Sequence, residues 1–535
     1  MYRFTRPRSC AVALGIAIGL ACAAPVHAAG KTLVYCSEAS PDTLNPQLTS
    51  AGSTFDAAST PIYNTLVARE VGSAKIVPSA AAAWEVSDDG LAYTFRLRRN
   101  VAFHTTAKFR PTRPMNADDV LFSFLRMHDP AHPFHKMTSG RVYVYYENKN
   151  LRNIIDRIEK VDEHTVRFRL KQPDAAFLAH LAAPFAVVMS AEYAQRMAAA
   201  GMPAAIDTDP VGTGPFQLVS YQKDAALRYK AFPAYWGGRA KIDNLVFAIT
   251  PDASVRYAKV KKGECHLMAL PKPADVQAMR NDPALAIASV DGGNVGYIGF
   301  NVEKKPFDNK LVRQALNLAT DKARILKTVY QQDGRIAKNP LPPMMWGYND
   351  KLPGYGYDPA KAKELLAKAG YPDGFEVELW FLPVSRPYNP DGKRIGEMIQ
   401  DDWAKVGVKV KLVSFEWGEY LKRMRAGEHQ AVMHGWSAFS DPDDFIGPLL
   451  SCAAAKNSAS RWCHAEFDRL FQKSKQLTRQ AERARLFEQM QAIFQEEAPW
   501  IPIAHAAQIT PMRKNVTGYV PDPDGTHDFY TVDLK

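Results

Sequence analysis

The sequence predicts an exported α/β protein with at least two lobes. Residues 1–30 carry the export signal: Arg3, Arg6 and Arg8 precede an uncharged, mostly apolar run from Cys10 to Ala24, followed by Pro25, Val26, His27, Ala28 and Ala29. That run is too short to span a bilayer comfortably, and the small residues suit a signal peptidase, so cleavage is expected after Ala28 or Ala29. A lipoprotein start at Cys22 is disfavoured by Gly19, which stands where an aliphatic residue belongs. The remaining body of about 505 residues exceeds what one hydrophobic core usually serves. The α/β class comes from the second half, where a strand, a helix and a second strand follow with short connections, which implies parallel pairing and a right-handed crossover.

In chain order, Tyr93 to Arg98 and Thr165 to Leu170 alternate apolar with polar residues, the period that buries one face of a sheet. Between them Asn116 caps a helix with Asp118 and Asp119 in its first turn. Asp358 caps another, with Pro359 as its first residue and Gly370 as its stop. Phe375 to Leu382 reads as a strand, Lys393 to Val406 as a helix, and Val408 to Val413 as the returning strand. A long helical pattern runs from Ala465 to Glu497, and Trp500 to Ile509 returns as one apolar strand. No repeat of 20 to 50 residues is visible, which excludes solenoids and propellers.

Hydrophobic residues make up 46% of the chain, ordinary for a packed globular protein. The net charge of +11 falls to about +8 once the three signal arginines leave, and the excess is spread rather than blocked into a tail. That describes a solvated surface and disfavours nucleic acid as a partner. Cys36, Cys265, Cys452 and Cys463 remain after the signal, an even set in an oxidising compartment, which reads as two disulfides. Three connectivities are open, and spacing favours only the close pair Cys452–Cys463, whose loop closure is worth about 3 kcal/mol. A four-cysteine zinc site would want C-x2-C pairs, which the chain lacks.

Chemical motifs are sparse. There is no G-x-S-x-G elbow, H-E-x-x-H helix, phosphate loop or dinucleotide fingerprint. His128, His132 and His135 lie among Asp129, Pro130 and Pro133, where no helix can hold them on one face, so they read as a solvated loop rather than metal ligands. One segment concentrates recognition groups: Pro383 to Pro390, with Arg386 and Tyr388, at the end of the Phe375–Leu382 strand. Ligands of open α/β sheets sit outside the carboxyl ends of strands, and arginine offers a planar fork that matches a carboxylate. A surface arginine in a Pro-rich loop is the plain alternative.

Across its mature length the chain resembles the periplasmic dipeptide-binding proteins of ABC importers, in the oligopeptide- and dipeptide-binding class. The resemblance rests on Lys31 to Glu38, Asn45 to Leu48, Asn116 to Val120, Val211 to Phe216, Thr250 to Tyr257, Arg386 to Pro390, Phe415 to Arg423 and Ser451 to Ala454. It implies two α/β lobes joined by hinge strands that clamp on ligand. The expected division is a signal over 1–28, lobe I with an extra subdomain over 29–290, lobe II over 291–508, and a return to lobe I over 509–535. It also implies the pairs Cys36–Cys265 and Cys452–Cys463. Ser50, Ala51 and Gly52 would form the first ligand-lining stretch. Arg386 and Tyr388, with Pro387 between them, would receive the peptide carboxylate.

A third stretch in relatives reads Trp-x-x-Asp, its aspartate receiving the α-ammonium. Here the chain reads Trp436, Ser437, Ala438, Phe439, Ser440, Asp441, Pro442, so Phe439 stands at the aspartate's position with one residue fewer before Asp-Pro. Three outcomes stay open: Asp441 moves into the ammonium site, the ligand has no free α-amine, or the loop is aligned wrongly.

The implied function is capture of dipeptides or related small peptides in the periplasm and delivery to an inner-membrane permease. The expected protein is a monomer without cofactor or metal, with a chemoreceptor as a further partner. Alternative cargo includes amine-free or N-blocked peptides, haem and antimicrobial peptides, the last disfavoured by the chain's positive charge. For haem the one nameable group is His434 beside Trp436, and a strand histidine is more often simply packed. The rival class is a secreted peptidase.

Overall fold

The computed structural model describes residues 30–138, 140–331, 333–438, 440–477 and 479–535; the expected export signal and Phe439 lie outside the described residues. Among the described residues two large hydrophobic cores organise the chain, with a small third cluster around Cys36, Cys265 and Met279. One gathers side chains from Leu33 to Ala269 together with Val516 to Val532, and the other those from Val295 to Ala506. The fold is therefore two-lobed, and chain-distant segments complete the first lobe.

The first core packs against a seven-stranded sheet ordered Leu285–Val290, Gln508–Arg513, Leu267–Met268, Thr32–Ser37, Asn244–Ile249, Ala226–Ala231 and Phe216–Gln222. An antiparallel four-stranded sheet in the same core contains Ala92–Leu97 beside Thr165–Leu170, the two alternating segments of the sequence. Over it lies the Ala117–His128 helix, whose start is fixed by Asn116 and Asp119 in a reciprocal capping box.

The second core packs on a six-stranded sheet ordered Gly334–Ile336, Trp500–Ala506, Asn294–Phe300, Ala431–Ser437, Glu376–Trp380 and Lys409–Val413. Glu376–Trp380 pairs in parallel with Lys409–Val413, joined by the Gly392–Ala404 helix that Asp391 caps. The expected strand–helix–strand unit is present, with most boundaries moved by one or two residues and the helix beginning one residue earlier, at Gly392. Pro359–Lys368 is a helix capped by Asp358, and Gly370 beyond it has φ +91°, a left-handed geometry glycine adopts without strain.

Two sequence expectations are corrected. The helical pattern from Ala465 to Glu497 is two helices, Ala465–Gln476 and Gln480–Glu497, because the chain turns extended at Leu477 and folds back, so that Phe467, Leu470 and Phe471 on one helix and Phe487, Met490 and Phe494 on the other enter one core. A single straight rod could not bring both sets there. The apolar run from Trp500 to Ile509 is likewise two strands that break at Ala507 and belong to different sheets.

That break is one of the two places where the chain passes between the sheets; the other is the stretch from Val290 to Asn294. Asn294, fully buried, ties the crossings together: its Nδ2 donates to Ala506 O at 2.8 Å and its Oδ1 accepts from Ala506 N at 2.9 Å. His505 Nδ1 donates to Asn294 O at 2.7 Å, and burial holds that imidazole neutral by pushing it down to about 4. A side chain at Gly292 would meet Ala506 O at 2.0 Å, so only glycine lets the two crossings lie this close.

The disulfides are Cys36–Cys265 and Cys452–Cys463. The first joins the end of the Thr32–Ser37 strand to the segment entering Leu267–Met268, and the second closes a short loop in the second lobe. Replacing both Cys452 and Cys463 by serine should lower the stability of the second lobe by about 3 kcal/mol, the loop-closure entropy returned to the unfolded chain, read by calorimetric unfolding.

Candidate functional site

Three parallel strands of the second lobe, Glu376–Trp380, Lys409–Val413 and Ala431–Ser437, end on the same sheet edge. The segments leaving that edge carry Arg386, Trp417 and Asp441, so topology alone collects the expected ligand groups of this lobe.

The Arg386 loop is built on a tight turn. Arg386 N donates to Asn389 O at 2.9 Å and Asn389 N to Arg386 O at 3.0 Å, with Pro387 pre-setting the turn. Tyr388 is driven downward into the sheet, where Gly296 and Gly435 face each other across neighbouring strands. A Cβ on Gly435 would lie 2.1 Å from the Tyr388 ring, and one on Gly296 2.0 Å from Tyr388 O. The missing side chains of the two glycines thus admit the Tyr388 ring at Gly435 and its backbone carbonyl at Gly296. Tyr330 fastens it from the side, its hydroxyl donating to Tyr388 O at 2.8 Å. Burial raises the Tyr388 hydroxyl above its ordinary range, and the Arg386 cation beside it opposes that rise.

With Tyr388 anchored, Arg386 projects from the turn. Its guanidinium lies 5.0 Å from the Trp417 ring and donates to Ser385 O at 3.1 Å. Among the described residues no carboxylate pairs with it. A stacked, unpaired guanidinium at a strand-end edge is suited to a ligand carboxylate or phosphate. Pro387 and Arg386 also line a crevice with Leu270, Pro271 and Gln508 of the first lobe.

Trp436 and Ser437 end their strand opposite Val295 and Asn294, and Ala438 N donates to Gly293 O at 2.8 Å, so this stretch is pinned to the hinge. Phe439 lies outside the described residues. Asp441 is buried, and both its oxygens are taken by Arg483, at 2.8 Å each. Burial raises its pKa and the Arg483 charge opposes that, so the carboxylate is already matched by an internal cation. Ser50, Ala51 and Gly52 belong to the first lobe. Asp42 braces their loop by accepting from Thr49 and Thr54, Ser50 and Gly52 are exposed, and open space lies before Gly52. They can meet Arg386 only across the gap between the lobes.

The histidines have structural partners. His128 Nδ1 is 2.7 Å from the Tyr146 hydroxyl and His135 Nδ1 donates to Arg126 O at 2.7 Å, so the loop expected to be solvated is half-buried and hydrogen-bonded. His434 packs edge-on to Tyr297 with ring centroids 5.9 Å apart, and burial pushes it down to about 4. Sequence reasoning missed Tyr330, Trp417, Arg483 and the two glycines. A glycine within an apolar strand run, as in Val295 to Phe300, is the signal of close backbone approach that could have flagged Gly296.

Residues 75–457 match the family model for bacterial extracellular solute-binding proteins, family 5. The dipeptide-binding protein of Escherichia coli K12 is 49% identical over the whole length of both chains. Heme-binding protein A of Haemophilus influenzae is 48% identical over 94% of this chain and 92% of its own. Among solved structures, HbpA2 from Haemophilus parasuis superposes with a TM-score of 0.85 at 45% identity, over 94% of this chain and all of its own. A Pseudoalteromonas dipeptide-binding protein in complex with Met-Leu gives 0.86 at 37% identity, over 94% of this chain and all of its own. The chain belongs to the family 5 extracellular solute-binding proteins.

Gly435→Ala should displace Tyr388 and cost about 1 to 3 kcal/mol in denaturant unfolding, whereas Gly52→Ala, with nothing in its way, should leave stability unchanged. Arg483→Ala strands the buried Asp441 carboxylate and should destabilise the second lobe by about 3 to 5 kcal/mol in the same measurement.

Proposed function

We propose that the protein captures small peptides or peptide-like molecules in the periplasm, by a clamp of its two lobes, and presents them to an inner-membrane ABC permease. The observation that carries this reading is Arg386: an unpaired guanidinium, stacked on Trp417 at the strand-end edge and held by an anchored turn. Relatives named for dipeptides and a relative solved with Met-Leu support the substrate class. In this reading the lobes divide at 290/291 and again at the Ala507 break, within two residues of the expected 508/509, and residues 1–28 are removed on export. The protein works as a monomer that binds without turnover. A chemoreceptor is a further partner of the closed form.

Ser50 to Gly52 line the first-lobe side, and Pro387, Tyr388, Trp436, Ser437 and Ala438 surround the cargo on the second. Phe439 replaces the acid that relatives offer to an α-ammonium, and Asp441 is already spent on Arg483. The pocket therefore favours cargo whose amine is blocked or absent, since a buried charge without a partner typically costs about 2 to 5 kcal/mol. Haem has less support: His434 is packed against Tyr297 within the sheet.

Arg386→Ala should abolish calorimetric binding of peptides with a free carboxylate, and Arg386→Lys should restore it only in part, because an ammonium cannot form two parallel bonds. In a thermal-shift panel, N-acetylated dipeptides should stabilise the protein more than the same dipeptides with free amines. Equal or greater stabilisation by the free forms, persisting in Asp441→Asn, would point to another acid as the ammonium's anchor.

A further inference from the structure

A group of charges with no part in the Arg386 site joins the lobes. Lys149, Asp174 and His180 come from the first lobe, and Asp441, Asp443, Asp444, Lys475 and Arg483 from the second. Lys149 Nζ lies 2.5 Å from Asp444 Oδ1, Lys475 Nζ lies 3.3 Å from Asp174 Oδ2, and Ala175 N donates to Lys475 O at 3.0 Å. His180 Nε2 is 3.7 Å from Asp443 Oδ2 and 4.0 Å from Asp174 Oδ2. Arg483 is committed to Asp441.

The balance of charge is uneven. Four carboxylates, all under 10% exposed, meet three permanent cations. The remaining group is His180, whose ring nitrogens have no hydrogen-bond partner, and Asp443 Oδ1 also lacks one. The first lobe brings a neutral set and the second a set with one surplus negative charge. Solvent tolerates that surplus while the lobes are apart. Contact between them removes the solvent, and an unmatched buried charge is then expelled or neutralised.

We infer that closing the lobes takes up one proton at the Asp443–His180 contact, so that mild acid favours the closed molecule. Burial raises Asp443 to about 7, with Asp174 and Asp441 adding to the rise and Lys475 and Lys149 opposing it. Burial likewise drives the His180 imidazole far below its ordinary value, helped by Lys149, Lys475 and Arg483, so the proton resides on Asp443. Tyr93, whose hydroxyl donates to Asp174 O, and Tyr145 near Lys149 and Asp444 are the other titratable groups facing the cluster, and both are held protonated by burial. The sign follows from linkage: a carboxyl whose pKa is higher closed than open favours closure fully below its ordinary range. That advantage is lost as pH climbs to about 7 and is flat beyond.

The test is small-angle scattering on the mature protein freed of co-purified cargo by unfolding and refolding, so the outcome does not depend on the cargo. Between pH 8 and pH 5 the closed-to-open ratio should rise roughly ten- to hundredfold, seen as a falling radius of gyration. Asp443→Asn removes the surplus charge at nearly constant size and should be equally closed at both pH values, while His180→Gln should keep the wild-type response. A wild-type radius that does not change with pH, or an Asp443→Asn protein that follows the wild-type course, overturns the proposal. Should Asp443→Asn fail to fold by circular dichroism, the wild-type and His180→Gln courses decide it.

Discussion

The seating of Tyr388 on two glycines, its ring on Gly435 and its carbonyl on Gly296, governs the strand-end edge of the second lobe from which Arg386 projects. Gly296 and Gly435 stand opposite each other in adjacent strands; the Tyr388 ring fills the space left at Gly435 and its backbone carbonyl the space left at Gly296. Packing of this closeness leaves the turn no room to shift, since protein interiors are dense and a displaced ring meets backbone at once. Tyr330 completes the restraint by holding the carbonyl of the same residue. The turn then has one orientation, and Arg386 leaves it toward Trp417. A flexible arginine on a free loop would lose side-chain and backbone freedom on binding a carboxylate, and the anchored turn removes the backbone part of that loss.

The same economy appears at the junction of the lobes. Both crossings must be short and closely parallel for two rigid bodies to move as a clamp, and Asn294 and Gly292 bring them together through hydrogen bonds and the absence of a side chain. The stretch that carries Trp436 and Ala438 is hydrogen-bonded to this junction, so the ligand edge and the hinge share one strand pair. In the proposed clamp, movement at this junction would be transmitted to the edge from which Arg386 projects.

Much of the fold was legible wherever a local rule sufficed. Asn116 and Asp358 announce helix starts because a capping bond lies within three residues, and Thr165 to Leu170 announces a strand because alternation is local. The errors fall where the answer lies in distant partners. Nothing in the residues from Ala465 to Glu497 interrupts the helical period, and only the need to fill one core from both sides folds the segment back. The run from Trp500 onward is apolar throughout, yet two different sheets claim its halves. In the candidate site, Arg386 and Tyr388 could be suspected from their place after a strand. The Gly296–Gly435 pairing depends on a register between segments far apart in sequence, and the commitment of Asp441 to Arg483 on a fold-back helix, so neither could be read from one sequence.

The central claim is that the cleft holds a small peptide-like molecule through a carboxylate on Arg386. Native mass spectrometry of the protein as purified tests it most directly, since closed clefts of this kind carry their cargo through isolation. The account predicts released species with peptide fragmentation and a free carboxyl terminus, present on the wild-type protein and missing from Arg386→Ala. A bound porphyrin, or the same cargo retained in full by Arg386→Ala, would contradict it.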